Sequence, residues 1–537
     1  MKKIGYPHLT LLLAIVPFLF SSCTEEQAVV VIPTADQVGA WVMPETIAPI
    51  ENAPFDIPSF QKPVFPDLMV NITDRGATEN EWIHAIVNAV ISEVSAKGGG
   101  TVVVPAGRWK SGRIILKSNV NLHIAEGAEV EFSGFAKDYL PAVFTRHEGI
   151  DILSAGAFIY AEGENNIAVT GKGVIWGPPL DAEIRRLTDV SLIIEHEVPA
   201  AMPLAERLFD GQDGRGFQPP KSISPVNCTN VFIEGVTINR SALWNIVPTY
   251  CEHVIIRGVT VNSVGIPRSD GIDIESSKNV LIEYTTLNCG DDCFTLKSGR
   301  GEDGLQVGRP TENVVIRWSL ALHGPGAITC GSETAGNIRN IYAHDCVFSG
   351  TRNGILFKTR RPRGGGTENI FYERIRMTDV ENAISWDLLG SERWVGDLAK
   401  RYPAKEINAL TPVLRGIHIR DFIVESSRNF ITAHCIPEIP LRNVLIENGE
   451  VNTEALIPAL YDVEGFTLRN LTVNSQENKI NILHGKDILF EEVKFTTSDQ
   501  TIDLSMDSDS ESIVFRNAGK ERTIKESEKI ELKLITN

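Results

Sequence analysis

The chain has 537 residues, of which 42% are hydrophobic and 22% are charged, a globular composition with ample material for a core. This composition excludes a largely disordered chain and a multi-span membrane protein. The net charge of −18 argues against general nucleic-acid binding, which relies on neutralising phosphates, so no nucleic-acid partner is predicted.

The first 23 residues have the pattern of an export signal. Two lysines precede an apolar run over residues 9–20 that is too short to span a bilayer comfortably. Residues 20–23, Phe-Ser-Ser-Cys, resemble a bacterial lipobox, in which the cysteine is lipidated and becomes the new N-terminus. We therefore predict a lipid tether at Cys23 and an outer-membrane lipoprotein facing the periplasm or the cell surface, with an ordinary cleaved signal as the alternative.

Two further segments precede the body of the chain. Residues 24–66 hold several prolines and little periodicity, which predicts a linker or an irregular segment covering the next element. Residues 80–97 have apolar residues at helical spacing and predict a helix. Seven cysteines beyond Cys23 have irregular spacing and no zinc-ligand pattern, so buried thiols are predicted, while a disulfide or two stays compatible with the sequence.

A short phrase recurs through the body: Asn or a similar polar residue, then two apolar runs, as in Asn230-Val-Phe-Ile-Glu-Gly-Val-Thr-Ile. It starts at Asn230, His253, Asn279, Asn313, Asn340, Asn369, Gly416, Asn443, Gly465 and Asp487. The intervals are 22–29 residues except for two of 34 and 47, and each run is strand length and rich in Val and Ile. The phrase predicts repeated strand–turn–strand units.

These units predict an all-β fold: a single-stranded right-handed parallel β-helix over residues 67–498. The helix of residues 80–97 would cap its open N-terminal end. Residues 499–537 would form a final coil, a cap or a tail. The two long intervals predict inserted loops, and an antiparallel sandwich is the alternative fold.

Three acidic residues lie about one coil apart in this repeat. Asp270 stands 21 residues before Asp291, which is followed by Asp292. Stacked coils would bring these carboxylates together, where mutual repulsion raises one pKa and leaves an acid beside ionised bases. Such a group suits hydrolysis of a glycosidic bond. Solvated turns or calcium ligation by the same acids are the alternatives.

Longer motifs carry a family resemblance. Gly98-Gly-Gly-Thr-Val-Val-Val-Pro-Ala-Gly, Val169-Thr-Gly-Lys-Gly and Ser241-Ala-Leu-Trp-Asn-Ile-Val-Pro-Thr-Tyr are among them. From about residue 74 to about residue 387 the chain resembles glycoside hydrolase family 28, the polygalacturonase and pectin-hydrolase family. The family motifs Asn-Thr-Asp, Gly-Asp-Asp, Gly-His-Gly and Arg-Ile-Lys have the counterparts Arg268-Ser269-Asp270, Gly290-Asp291-Asp292, Gly324-Pro325-Gly326 and Leu356-Phe357-Lys358.

The resemblance implies a pectin-lyase-like solenoid and roles for these residues. Asp291 would be the general acid, while Asp270 and Asp292 would activate water, with inversion of configuration and without a metal or organic cofactor. The substrate would be a pectic polysaccharide or oligosaccharide, and a monomer is expected. Lys358 would bind a substrate carboxylate, and Lys297 would either do the same or pair with Asp291 or Asp292. The remaining predicted substrate-binding residues are Arg268, His323, Arg360 and Arg361.

Two departures from the family motifs put strict homogalacturonan specificity in doubt. The motif histidine is replaced by Pro325, and His323, two residues earlier, would either partly substitute or be an ordinary loop histidine. The motif arginine is replaced by Leu356, so charge would have to come from Arg360 and its neighbours, which would otherwise form a solvated turn. These changes are compatible with a rhamnogalacturonan-type backbone or a decorated pectin.

The sequence is compatible with three different functions. The first is a pectin hydrolase whose long loops at the cleft ends favour exo-action on short oligosaccharides. The second is a β-helical pectate lyase, which would need calcium and a basic residue. The third is a β-helix that binds glycans without catalysis.

Overall fold

The computed structural model describes residues 31–187, 194, 198–518, 522–524 and 527–531. The predicted signal and Cys23 lie outside these residues. The described chain is an all-β right-handed parallel β-helix, as predicted, and the strand pairs that connect successive coils are parallel. Each full coil contributes strands to three stacks, which form three faces around one core.

The strands vary in length along the helix. The N-terminal strands are Met69–Asn71, Gly100–Val104, Gly107–Ser111, Ile114–Ile115, Val120–Ile124, Ala128–Phe132, Val143–His147, Ile150–Ser154, Ala157–Glu162, Asn165–Thr170 and Val174–Trp176. The middle strands are Lys221–Val226, Thr229–Glu234, Thr237–Asn239, Glu252–Arg257, Thr260–Asn262, Ile272–Glu275, Lys278–Glu283, Thr286–Asn288, Phe294–Lys297 and Thr311–Arg317. The C-terminal strands are Leu320–Cys330, Ile338–Ser349, Thr351–Lys358, Gly366–Thr378, Val380–Asp387, Val413–His434, Leu441–Ala455, Ile457–Ser475, Lys479–Thr497, Thr501–Met506, Glu511–Arg516, Arg522–Ile524 and Glu528–Glu531.

Short helices interrupt the strands. The α-helices are Ala35–Ala40, His84–Ala96, Glu183–Arg186, Gly301–Val307 and Glu392–Val395, and the 3-10 helices are Ile72–Arg75, Ala136–Tyr139, Leu204–Glu206 and Gly396–Ala399. Among the residues that the structure describes, none of these helices has the length and apolar character that a membrane crossing requires.

The backbone conformation of the first residue explains why the phrase so often begins with Asn. Asn230, Asn279, Asn313 and Asn340 all adopt positive φ angles of 53–57°. Asn tolerates this left-handed conformation better than most residues, which gives the chain its turn into the first strand of each coil. The side chains also form a ladder, because Asn313 Nδ2 donates to Asn279 Oδ1 at 3.1 Å and Asn340 Nδ2 donates to Asn313 Oδ1 at 2.9 Å.

The core is a column of stacked apolar side chains. Val231, Val254, Val280 and Val314 are in register in successive coils, and all are almost completely buried. All seven cysteines beyond Cys23 are buried free thiols, so the prediction of buried thiols is confirmed for them. Stacking of this kind buries one continuous core along the helix axis.

Both ends of the solenoid are covered. The predicted capping helix is His84–Ala96, which buries Val87, Val90, Ile91 and Val94. At the far end, the strands of residues 501–516 continue the coils, and Arg522–Ile524 and Glu528–Glu531 then pair antiparallel to them. The C-terminal segment is therefore a final coil followed by a cap, and the two covers shield strand edges from water.

Residues 32–66, called the N-terminal strap below, cover the outer face of the first stack. Outward-facing Phe232, Ile255 and Leu281 in that face pack with strap residues that include Phe60. Arg257 Nη2 donates to the Pro44 carbonyl at 2.8 Å, and Arg376 Nε donates to the Pro33 carbonyl at 2.8 Å. The strap was predicted to cover the element that follows it in the chain, but it covers these later coils instead. The reason is that the first stack is apolar on both faces, so its outer side chains need burial.

Candidate active site

The three candidate acids lie where the chain passes from the second stack to the third. Asp270 precedes the strand Ile272–Glu275, and Asp291 and Asp292 precede the strand Phe294–Lys297 in the next coil. These two strands are in register, which places Asp270 and Asp292 next to each other along the helix axis. One carboxylate oxygen from each acid lies within 4.8 Å of the other two. The acids therefore meet in one place, as predicted.

Burial and mutual repulsion hold protons in this group. Asp270 and Asp292 are almost fully buried, and Asp291 is partly exposed. Burial and the adjacent Asp292 raise the pKa of Asp291, although Lys358 and Lys297 oppose this. Burial together with Asp273 and Asp291 raises the pKa of Asp270 well above its usual range. A protonated acid beside an ionised carboxylate is what acid–base hydrolysis requires.

Each of two lysines forms an ion pair with a different one of the three acids. Lys358 Nζ lies 2.5 Å from Asp292 Oδ2, and Lys297 Nζ lies 3.4 Å from Asp270 Oδ2. The ion pairs among the described residues include Asp270 and Asp292 but not Asp291. Asp291 is therefore the acid of the three that lacks a cation at contact distance, which favours its protonated form.

Lys297 is the centre of a larger buried cluster. Besides Asp270, its ammonium lies 3.5 Å from Asp273 Oδ1 and 3.5 Å from Glu333 Oε2, and 4.5 Å from the centre of the Trp244 ring. Burial raises the pKa of Asp273 to about 7. Burial opposes ionisation of Glu333, but Lys297 and Arg300 lower its pKa to about 2. Lys297 was expected to pair with Asp291 or Asp292 if it did not bind substrate, but it pairs with Asp270, Asp273 and Glu333, because the coils before and after it place these acids around its ammonium.

The same three acids also have the spacing of a cation site. The ammonium groups of Lys297 and Lys358 already supply positive charge to Asp270 and Asp292. A divalent cation would have to compete with both lysines, whose pKa values are raised by these carboxylates although burial opposes this. The arrangement therefore fits acid–base chemistry on a sugar better than metal ligation.

An open groove leads away from the acids along the outer face of the third stack. It has a volume of about 640 Å³ and its floor includes Leu356, Lys358, Ser385 and Thr432. Asn353, Asn382 and Asn429 form an amide ladder along it, with Nδ2-to-Oδ1 distances of 2.9 Å between successive residues. Such a long polar groove is suited to an extended, hydroxyl-rich ligand.

A wall closes the opposite side of the acids. The hairpin of residues 143–154 pairs Val143–His147 with Ile150–Ser154, and its tip residue Glu148 lies 2.6 Å from Arg268 Nη2 and 3.2 Å from Arg300 Nη2. Burial opposes ionisation of Glu148, but Arg268 and Arg300 lower its pKa well below the usual range. We call this hairpin the terminal wall. It is anchored two residues from Asp270 through Arg268.

The helix Gly301–Val307 is connected to the terminal wall through Arg207. Arg207 Nη1 lies 2.6 Å from Asp303 Oδ1, in the helix Gly301–Val307, and donates to the Asp151 carbonyl at 3.1 Å. That helix occupies the interval of 34 residues after Asn279. The predicted inserted loop therefore lies at the closed side of the site.

The remaining predicted substrate-binding residues differ in their placement. Arg268 is held by Glu148 and by His147 Nε2 at 2.7 Å, in the terminal wall beside the acids. His323 is exposed on the rim, with Nδ1 2.8 Å from the Cys289 carbonyl. Pro325 and Leu356 both line the groove, where they supply apolar surface.

The loop of residues 360–363, which holds three arginines, contributes less to the groove than its composition suggests. Arg361 is buried in an ion pair with Glu438 and donates to the carbonyls of Leu398 and Lys400 at 2.8 and 2.9 Å. Arg360 Nη2 donates to Ser332 Oγ at 3.1 Å. The structure therefore places Arg361 in the packing of the 388–412 loop and not in the lining of the groove.

Sequence reasoning did not single out Asp273, Glu333 or Trp244. Asp273 is three positions from Asp270, so strand alternation would place the two side chains on opposite faces and could not have predicted that both contact Lys297. Glu333 lies in the connection after the strand Leu320–Cys330, and no motif marks it. Asp273, Glu333 and Trp244 lie near Lys297 because the coils stack. The spacing of residues in the sequence predicts the positions of stacked side chains only approximately.

Comparison with known proteins agrees with this geometry. The family model for glycosyl hydrolases family 28 matches residues 210–388, the part that carries all three acids and Lys358. A probable polygalacturonase from Vitis vinifera is 26% identical over 409 residues, which cover 73% of this chain and 76% of the relative. An exo-poly-alpha-D-galacturonosidase from Dickeya chrysanthemi is 25% identical over 58% of this chain, which spans 55% of that relative's length.

The fold has a counterpart among solved structures. The crystal structure of a hyperthermoactive exopolygalacturonase from Thermotoga maritima has a TM-score of 0.67 and 26% sequence identity, covering 88% of this chain and 97% of the solved one. Both the sequence match and the fold include the coils that bear the acids. Residues 210–388, which carry the acids, therefore match glycosyl hydrolases family 28, and the chain is similar to polygalacturonases over most of its length.

Proposed function

We propose that the chain is an inverting glycoside hydrolase that removes galacturonate-containing units from the ends of pectic chains. The observation that carries this proposal is the meeting of Asp270, Asp291 and Asp292 at the head of a long polar groove, with their oxygens within 4.8 Å of one another. The family and the polygalacturonase relatives support a pectin-degrading hydrolase.

The three acids divide the work of hydrolysis. Asp291 donates its proton to the glycosidic oxygen as the bond between that oxygen and the sugar carbon breaks. A water molecule attacks the same carbon and loses a proton to the carboxylate of Asp292, which pairs with the Lys358 ammonium, while Asp270 lies beside it and helps to direct the water. Asp292 Oδ1 is buried without a hydrogen-bond partner among the described residues, and a Cβ at Gly326 would lie 2.9 Å from it. Glycine at that position keeps space beside the oxygen that accepts the proton.

The distances between the acids bear on the stereochemistry of the reaction. Carboxyl groups in inverting enzymes are commonly about 6.5–9.5 Å apart, and retaining pairs are closer. The short distances here describe the nearest oxygens of three acids, of which two are held by lysines. A carboxylate paired with an ammonium is a weaker nucleophile, so we propose that Asp270 and Asp292 direct water and do not attack the sugar.

The terminal wall supports cleavage at chain ends. Glu148 and Arg268 close the space immediately beside Asp270, whereas the groove on the other side extends past Lys358. A chain that crosses the acids therefore has room for a short stretch on the closed side and a longer one on the open side. The ammonium of Lys358, at the start of the groove, offers a contact to a uronate carboxylate.

The proposal is tested with purified protein on polygalacturonate, rhamnogalacturonan and their oligomers. We expect a single small product from the earliest time points and release of the anomer opposite to that of the cleaved bond, read by NMR. A ladder of intermediate oligomers would contradict the end-directed mode, and retention would contradict the roles given to Asp270 and Asp292. A product with ultraviolet absorbance that a chelator abolishes would indicate the lyase alternative. Absence of any cleavage would favour a glycan-binding protein.

We further propose that the protein is a monomer tethered to the outer membrane through a lipid on Cys23. The support is the lipobox-like sequence of residues 20–23. In a bacterial host, Cys23→Ser is expected to move the protein from the membrane fraction to the soluble fraction without loss of specific activity. Light scattering of the soluble form would report the mass of one chain, and an unchanged membrane fraction would contradict the tether.

A further inference from the structure

The groove carries bands of opposite charge along its length. Its two edges are formed by residues at matching register positions in three successive coils. The coil of Thr351–Lys358 has a basic residue on each edge, Arg352 and Lys358. The next coil has acidic residues at these positions: Asp387, which lines the groove, and Glu381, which contacts the lining residue Arg428. The coil after that has Arg428 and His434 at these positions.

The acidic band is not neutralised at its inner edge. Asp387 is exposed in the groove, and Oδ1 accepts hydrogen bonds from the Leu389 and Gly390 amides at 3.2 and 2.9 Å. The ion pairs of the described residues do not include Asp387, because the neighbouring Lys358 ammonium is directed to Asp292. Loss of solvent lowers the pKa of His434 although Asp387 opposes this, so the imidazole is neutral near pH 7.

The outer edge follows the same alternation. Arg428 Nη1 lies 3.7 Å from Glu381 Oε1, and both side chains are largely solvated. A loose surface pair of this kind exchanges readily with ligand charges. Arg352 and Arg428 both line the groove on either side of the acidic band.

The coil spacing relates these bands to a sugar chain. Successive coils lie about 4.8 Å apart, a distance close to the length of one sugar ring in an extended chain. One sugar would therefore face the basic coil, the next the acidic coil and the third the coil of Arg428. A uronate carboxylate is favoured at the first and third positions and repelled at the second.

We propose that Glu381 and Asp387 select a polymer in which uronate and neutral sugars alternate, by repelling a carboxylate from the second groove position. This inference rests on the proposed hydrolase function and names the substrate class of the same site. It assigns specificity to residues that do not touch the reacting atoms. The apolar surface of Leu356 and Pro325 near the first position is compatible with a neutral neighbour but does not carry the inference.

The test compares the wild type with the double variant Glu381→Gln/Asp387→Asn. Asn at position 387 keeps the oxygen that caps the Leu389 and Gly390 amides, so the local backbone is retained. The matched control is Glu368→Gln/Asp421→Asn, which changes the net charge equally at residues whose partners, Arg415 and Asn448, do not line the groove. Substrates are homogalacturonan and alternating oligomers of equal length, long enough to fill three groove positions, and uronate dimers that do not reach the acidic band.

We expect the wild type to prefer the alternating oligomer. The double variant should raise kcat/KM on the homogalacturonan oligomer by about five- to tenfold at low salt, and the gain should shrink in high salt. The control variant should match the wild type. Calorimetric binding in an Asp291→Asn background should show the same change in preference without turnover.

Two results would overturn the inference while leaving the hydrolase proposal intact. One is equal or better wild-type cleavage of the homogalacturonan oligomer. The other is an unchanged preference in the double variant, in both kinetics and binding. Failure of the wild type to hydrolyse any substrate, dimers included, would overturn the proposed function and this inference together.

Discussion

Replacing Asp291 by Asn is expected to lower kcat by about 10²–10⁴-fold with little change in KM, because the amide cannot protonate the leaving oxygen. The side chain keeps its shape, and the acceptor for the Asp292 amide, now 2.9 Å from Asp291 Oδ1, is retained. Steady-state kinetics on pectic oligomers measures the effect. In the wild type, the rate should fall as pH rises through the raised pKa of Asp291, since only the protonated form is the acid.

A substrate with an activated leaving group provides the control for this variant. An aryl galacturonide releases a phenolate that needs no proton, so Asp291→Asn should retain much more of its activity on it than on a natural oligomer. Equal losses on both substrates would show that Asp291 has another role, such as directing water. Asp292→Asn should lose activity on both, because the base is needed whatever the leaving group.

Replacing Lys297 by Met is expected to destabilise the fold by about 3–5 kcal/mol at neutral pH, since breaking a buried ion pair leaves uncompensated charge. The ammonium now contacts Asp270, Asp273 and Glu333, all of which are almost fully buried. Met keeps most of the volume and the contact with Trp244. The loss of free energy of unfolding would therefore come from electrostatics and not from a cavity.

The pH dependence of this variant follows from the carboxyl groups. Burial already raises the pKa of Asp273 to about 7 in the folded wild type, so its contribution to stability is complete below its unfolded pKa and is lost as pH rises through about 7. Without Lys297 the pKa values of Asp270, Asp273 and Glu333 all rise in the folded state. The difference in stability between the wild type and the variant should therefore widen from pH 4 to pH 7.

Denaturant unfolding at several pH values measures this difference. Lys172→Met is the matched control, since Lys172 is exposed and lies 4.0 Å from an equally exposed Glu126. The control should stay within about 0.5 kcal/mol of the wild type. A Lys297→Met deficit that is the same at pH 4 and pH 7 would contradict the electrostatic account.

The fold was predictable from the sequence to the extent that it is periodic. The residue that starts each phrase, such as Asn279 or Asn313, marks the left-handed turn into the first stack, and the Val and Ile that follow it form the core. The acids were predictable because Asp270 and Asp291 are separated by about one coil. Both predictions depend on local spacing, which a solenoid converts directly into spatial proximity.

The terminal wall and the strap were not predictable in the same way. The hairpin tip at Glu148 reaches Arg268 and Arg300, more than 100 residues further along the chain, and no repeat relates these segments. Strap residues such as Phe60 and Pro44 likewise contact coils far away in sequence. Such contacts depend on side-chain complementarity between aperiodic segments, which spacing does not reveal.

The strap also constrains the order in which the molecule is assembled. Its residues are synthesised before the solenoid, and their partners Arg257, Arg317 and Arg376 lie 213, 269 and 343 residues further along the chain, so these partners leave the ribosome much later. Until then the apolar outer side chains of Phe232, Ile255 and Leu281 remain open to solvent. The segment that is made earliest is thus among the last to be placed, and nascent chains pass through a stage in which one flank is exposed to unwanted association.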